Sequence, residues 1–361
     1  MTNYYIFGAH SRGQTLGAYL AKLQQDFTNL GYLYDDDQEN PNLVNDVPVY
    51  KIQGVGNLDI GAIVYIATRG ISFMHIRNVL EKYGFAHEKI VPMDAALDIK
   101  LRNEFVKGYY AEHGWEFRKI DDVVEQEEST LKNKVYVVKS SVDSNLAMKV
   151  PLKKYEAYIQ AGRGLTDSDL DDASFSDNTG DNISDKNRQM CELTVLYWIW
   201  KNANDSIVGL EHYRRRFFLP NKWESIFSEN MADVILPVPL FVHPNLKENY
   251  VGRHEEKPWN VMIEELGHIH GMECQTEAEV FFDNTGCYSP CNMLVARKEI
   301  LNELCGWLFP ILFAVQDRCG NLDDNYQNRY PGFLSERLIT FFFFWKKEKY
   351  KVLYADKSFL T

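Results

Sequence analysis

The sequence predicts an α/β protein of two domains, and three observations carry that expectation. The chain has 361 residues, more than one ordinary core accommodates. Short apolar and aromatic runs alternate with stretches of helical spacing through the first hundred residues, the pattern of a parallel sheet covered on both faces. The strand pattern then restarts at Lys134, after a charged stretch, as it would at the start of a second domain.

In the first domain, residues 1–100, Tyr4–Phe7 reads as a short buried strand and Gly8–Gly13 as a turn. Thr15–Leu23 has helical spacing. Gly31–Tyr34 is a second strand, ending in Asp35, Asp36 and Asp37. Ile63–Ile66 is a further strand, followed by a helix over Ser72–Tyr83 and a strand at Ile90–Val91. Residues 101–133 are charged and helix-prone, with Glu125–Glu128 nearly all acidic, and read as a connector.

The second domain, residues 134–361, opens on the strand Lys134–Val138. An acidic loop with seven aspartates occupies 165–185. Ser184 then has the character of an N-cap for a helix with Met190, Leu193, Tyr197 and Trp200 on one face. Ser206–Leu210 is a buried strand running into Glu211-His212-Tyr213-Arg214-Arg215-Arg216-Phe217. Val234–Leu236 is another strand. Residues 293–345 read mostly as helices, broken at Pro331-Gly332.

Composition narrows the function. Lys and Arg number 39 against 51 Asp and Glu, a net charge of −12 that repels phosphate backbones and argues against nucleic-acid binding. The N-terminus has no charged-then-apolar leader, and no run approaches the roughly eighteen apolar residues of a spanning helix, so a cytoplasmic location is expected. Phe341–Trp345 followed by Lys346-Lys347 could dip into a membrane surface as a peripheral contact, or be a buried helix end turning to solvent. The six cysteines all fall in the second half. Only Cys287 and Cys291 are close, with no second pair beside them for a zinc site, and all read as free thiols.

Two places carry chemistry. Gly8 to Gly13 follows a strand and opens a helix, the context of a phosphate-binding turn, with Gly8, Gly13 and the strand-end Asp35 as the nucleotide candidates. Where such turns have a middle glycine this chain has His10, which obstructs close approach of a pyrophosphate. A purely structural domain is the competing reading. The second place combines Asp181, Asn182, Lys186 and Asn187, read at a helix start, with His212, Arg214 and Arg215 at the end of a buried strand. Ligands collect at such strand ends in open α/β sheets, and arginine forks compensate a leaving diphosphate. Glu211 and His212 are candidates for a divalent metal, Mn or Mg; otherwise the arginines take the metal's place.

The stretch Tyr5–Tyr50, with Gly31-Tyr32-Leu33-Tyr34-Asp35-Asp36-Asp37 and Val47-Pro48-Val49-Tyr50, resembles the Rossmann-like N-terminal domain of bacterial sugar O-acyltransferases, which helps bind a nucleotide sugar. No hexapeptide repeat follows, so acyl transfer is not implied. Over about 134–350 the chain resembles a family of capsular and exopolysaccharide glycosyltransferases long defined as a domain of unknown function. The resemblance rests on Asp177-Asn178-Thr179-Gly180-Asp181-Asn182-Ile183-Ser184, Glu192-Leu193-Thr194 with Tyr197-Trp198 and Trp200-Lys201-Asn202, and Gly209-Leu210-Glu211-His212-Tyr213-Arg214-Arg215. Cys291-Asn292-Met293 and Gly332-Phe333-Leu334-Ser335-Glu336-Arg337-Leu338 complete it.

The resemblance implies a GT-A-like fold and sugar transfer from a nucleotide sugar, with UDP-galactofuranose a candidate donor and a lipid-linked oligosaccharide a candidate acceptor. Tyr250 and His254 match the family's Tyr…His pair, although the Asp expected after it is absent. Within this reading Glu336 is the expected catalytic base, with Asp323 and Asp324 in reserve, and His212 acts beside it. Asp181, Asn182, Lys186, Asn187, Arg214, Arg215 and Asn292 contact the donor. Two rivals stand beside it: a nucleotide-dependent oxidoreductase or epimerase working through the N-terminal turn, and a non-catalytic subunit of a polysaccharide assembly complex.

Overall fold

The computed structural model describes all residues except 1, 37–39, 69–71, 124–128, 145, 148–149 and 361. Asp37 and the acidic run Glu125–Glu128 therefore lie outside the described residues. The chain forms two compact units, one of residues 1–115 with 241–243, the other of residues 116–240 with 244–361. The stretch 101–133 divides between them: the helix Ala95–Glu112 lies in the first unit, and from Glu116 on the chain is in the second.

In the first unit a six-stranded sheet runs in the order Leu43–Val44, Val47–Lys51, Phe27–Tyr34, Thr2–Phe7, Ile63–Ile66, Ile90–Pro92. All neighbours are parallel except the first pair. Tyr5, Phe7, Leu33, Val64 and Ile66 meet Ile76 and Leu80 of the helix Phe73–Lys82 in one core. The order reverses around Thr2–Phe7, whose end leads through Gly8 into the helix Ser11–Leu23. At such a switch point the fold offers a crevice. Gly8 turns at φ +109°, and a Cβ on Gly13 would sit 1.8 Å from the Gly8 carbonyl oxygen, so the helix can start here only on glycine.

The second unit holds a seven-stranded mixed sheet, ordered Val352–Ala355, Val234–Pro237, Leu294–Arg297, Ile207–His212, Asn133–Ser140, Glu156–Ala161, Phe175–Ser176. Leu294–Arg297 is antiparallel to both its neighbours, and the other adjacent pairs are parallel. This strand corrects the helical reading of 293–345. Leu294, Val295 and Ala296 are all buried, and a short run buried on both faces shows no alternation to betray it.

The helices Leu193–Asn202, Lys298–Cys319 and Tyr330–Trp345 follow from their apolar spacing, and Pro331 sits in the first turn of the last, where its missing N–H costs nothing. Trp200 stacks on Phe309 with ring centroids 5.7 Å apart, joining the first two. Phe341, Phe342 and Phe343 are buried, so the membrane-surface reading of that segment gives way to the buried helix end. Among the described residues no helix is long and apolar enough to cross a membrane. All six cysteines are free thiols.

Candidate functional site

The site is organised by the end of the Ile207–His212 strand and the turn at Cys291–Asn292. Successive residues of a strand point to opposite faces, so Glu211 and His212 diverge. Glu211 is fully buried. Its Oε1 accepts the Phe217 N–H at 2.7 Å, its Oε2 has no hydrogen-bond partner, and burial pushes its carboxyl up to about 7. Arg216 is also buried and ion-paired with buried Glu156, with a further bond to the Pro151 carbonyl at 3.0 Å. This face is closed and structural.

His212 belongs to the other face. Its Nε2 donates to the Cys291 carbonyl at 2.8 Å, which leaves Nδ1 as the acceptor of the neutral ring. Burial lowers its pKa, partly opposed by Glu192. The N–H of the same Cys291 donates to Glu336 Oε1. Glu336, 17% exposed, lies 3.8 Å from the Arg337 guanidinium, yet burial pushes its carboxyl up to about 7. Asn292 donates through Nδ2 to Glu192 Oε1 at 2.7 Å and to the Gly332 carbonyl at 3.1 Å, and its Oδ1 accepts from the buried Ser335 hydroxyl at 2.7 Å.

One turn thus fixes His212, Glu336 and Glu192. Its backbone is left-handed, Cys291 at φ 76° and Asn292 at φ 51°, and so is Cys191, next to Glu192, at φ 50°. Left-handed non-glycine residues cost of order 1–3 kcal/mol each and concentrate where geometry matters for function.

Arg215 completes this face, acting on both His212 and Glu336, whereas Arg214 turns to the loop at Ser144. Arg214 reaches the Ser144 hydroxyl at 3.1 Å, and Arg215 lies over the Phe359 ring at 5.3 Å. Among the described residues neither forms an ion pair. His254 stacks on Phe333 at 4.2 Å and bonds Gln327 at 3.2 Å, with its pKa lowered to about 4 by burial and Arg337. Tyr250 is buried beneath the Arg337 guanidinium.

Several sequence-derived candidates lie elsewhere. Asp181 contacts Tyr197, Lys201 and Asn202 of the Leu193–Asn202 helix, about 8–15 Å along its axis from Glu192. Asn182 bonds its own loop, at Gly180 and Ser184. Lys186 is exposed over Phe313. Asn187 ties the Cys191 carbonyl and Thr194, a structural clamp. The N-cap expected at Ser184 is absent because its hydroxyl donates to Asp177. Asp177, fully buried, also accepts from Gly162, Arg163 and Thr194, folding the acidic loop down on itself. Asp324 caps the turn at Tyr326 and Gln327.

The Glu211–His212 pair does not fit a metal, since the two side chains diverge. Among the described residues no group of three or more His, Cys, Asp or Glu converges. In the first unit, Arg12 donates to the carbonyls of Thr68 at 2.9 Å and Met93 at 2.6 Å, across the strand ends beside the Gly8 turn. Asp35 lies 3.6 Å from His75. Glu192 received no role from the sequence, although it stands beside Cys191 in a segment that drew notice; nothing local announces that it meets Asn292.

The fold and site define a class: a mixed α/β protein whose second unit is a GT-A-like sheet with its polar constellation at the central strand end. Residues 134–348 match the family model described as Domain of unknown function (DUF4422), and the chain belongs to that family. The apo structure of the bifunctional glycosyltransferase WbbM is similar in fold, with a TM-score of 0.52 and 24% identity over 64% of this chain. The match spans 45% of that longer chain. No curated protein matches.

Proposed function

We propose that the chain is a glycosyltransferase, moving a hexose from a nucleotide-sugar donor to a growing glycan. The observation that carries this reading is the Cys291–Asn292 turn, which presents Glu336 and His212 together beside Arg215, which has no carboxylate partner among the described residues. A fold shared with a glycosyltransferase supports it.

Transfer needs a base for the acceptor hydroxyl and cations for the leaving diphosphate. Glu336, near 7, is poised to take that proton, and the Cys291 N–H holds its carboxylate in place. Neutral His212 accepts a hydroxyl proton in hydrogen bonding. Arg214 and Arg215 face the diphosphate with forked donors. Since Glu211 faces away, no step is assigned to a metal.

The family resemblance supports UDP-galactofuranose as donor and a lipid-linked capsular or exopolysaccharide oligosaccharide as acceptor, at the cytoplasmic face of the membrane. The N-terminal unit, similar to the nucleotide-sugar domain of sugar O-acyltransferases, is consistent with that setting.

Nucleotide release from a panel of UDP-, GDP- and dTDP-sugars, UDP-galactofuranose included, with Mn²⁺ or EDTA, tests the proposal. Slow hydrolysis of one donor is expected, and it names the sugar; EDTA sensitivity would restore a metal. Failure of every donor to bind would overturn the reading.

A further inference from the structure

The helix Tyr330–Trp345 is buried from Tyr330 to Phe343 except at Phe333 and Glu336. The two stand three positions apart, on one face of the helix and about 4.5 Å apart along its axis. A molecule that reaches the Glu336 carboxylate from solvent therefore has the Phe333 ring as its neighbour.

Phe333 belongs to a small aromatic surface. His254 backs its ring, stacked at 4.2 Å, and the Tyr326 ring adjoins it at 5.1 Å. Tyr326 is 55% exposed, yet the loop that carries it is tied down. Asp324 Oδ1 accepts the Tyr326 and Gln327 N–H groups, each at 2.8 Å. The Gln189 amide closes the loop by donating to the Gly320 carbonyl and to Asn328 Oδ1, both at 2.9 Å. Arg329, exposed at the rim, is fixed through its Nε on the Cys191 sulfur at 3.0 Å and lies 6.0 Å from the Phe333 ring.

A pinned loop that keeps an apolar ring in water forgoes the stabilisation of burying it, and a ligand that covers the ring recovers it. Sugars fit such a surface: the C–H bonds of one face stack on the rings, and the hydroxyls at the edge accept from a forked donor. The base in a transfer meets the acceptor, so rings beside the base on its own helix are placed for the acceptor. We infer that Tyr326 and Phe333 form the stacking platform for a sugar ring of the acceptor glycan, with Arg329 donating to its hydroxyls. The inference rests on the transferase reading and names the part of the chain that selects the acceptor.

Saturation-transfer NMR of methyl β-D-galactopyranoside, methyl β-D-glucopyranoside, lactose and cellobiose with the full chain tests it, beside calorimetric titration of UDP, GDP and dTDP. Tyr326→Ala, Tyr326→Phe and Phe333→Leu are compared with wild type, the fold of each checked by thermal melting. At least one glycoside is expected to bind wild type, with affinity about threefold to thirtyfold weaker in Tyr326→Ala and in Phe333→Leu while nucleotide affinity holds. Tyr326→Phe keeps the ring and with it the affinity. Glycoside binding that is unchanged in Tyr326→Ala or Phe333→Leu, or lost equally in Tyr326→Phe, overturns the platform. A wild type that binds a nucleotide but none of the four glycosides also overturns it and leaves the transferase reading standing. A wild type that binds neither kind of probe overturns both.

Discussion

Both units end a parallel strand at the place where open sheets collect ligands, yet they treat that place in opposite ways. In the first unit Arg12 spans the strand ends, its guanidinium spent on the Thr68 and Met93 carbonyls. In the second, the charges that need neutralising are neutralised on the closed face, by Arg216 with Glu156 and Lys119 with Asp356. The opposite face keeps Arg215 without a carboxylate partner among the described residues, and burial there pushes the Glu336 carboxyl up to about 7. A strand-end crevice becomes a ligand site only when the protein leaves its polar groups unsatisfied there; a side chain that satisfies them turns the same crevice into structure.

The sharpest way to break this comparison is Glu336→Gln, which keeps an oxygen for the Cys291 N–H but cannot take a proton. Turnover is expected to fall by about a hundredfold to ten-thousandfold with the fold intact. Wild-type rate should rise with pH through about 7, where the Glu336 carboxyl ionises. A pH-independent rate, or an active glutamine variant, would reduce Glu336 to a structural partner of the turn.

Glu211 tests the closed face. An unfolded glutamate ionises near pH 4.3 (about), whereas folded Glu211 holds its proton up to about 7. Below the unfolded value both states are protonated and its burial is not penalised. As pH rises to about 7 the unfolded chain releases the proton first, and stability is lost across that window. The Phe217 N–H and Lys153 both favour the ionised carboxylate and limit the loss. Glu211→Gln should therefore raise stability by about 1–3 kcal/mol at pH 8 and by little at pH 4, read as denaturation midpoints at the two pH values.

The smallest effect is expected in the first unit. Arg12→Ala leaves two carbonyls without their donor and should cost about 1–2 kcal/mol, with nucleotide affinity unchanged. Loss of nucleotide binding in that variant would show that the first crevice is also a ligand site, and would erase the contrast.

Much of the architecture was legible because it rests on local chemistry. The strands at Tyr4–Phe7, Ile63–Ile66 and Ser206–Leu210 follow from apolar runs and turn residues, whereas Pro331, read as a helix break, sits in the first turn of a helix. Leu294–Arg297 was not legible, because burial on both faces removes the alternation that marks a strand. The candidate site divides in the same way. His212, Arg214, Arg215, Asn292 and Glu336 drew attention from residue type and position, and the fold brings His212, Asn292 and Glu336 to a single turn. Asp181, Asn182, Lys186 and Asn187 drew equal attention, but the loop folds back on buried Asp177 and takes them to the helix surface or into clamps.

By itself the sequence determined the α/β class and the residue types available at the end of the Ile207–His212 strand, since propensity and hydrophobic period are properties of neighbouring residues. Tertiary structure decided which of those residues converge. Whether Arg216 is spent on Glu156, whether His212 meets Cys291, and whether Glu336 reaches Cys291 depend on contacts between segments tens of residues apart, and such contacts are set by packing, which no local pattern records.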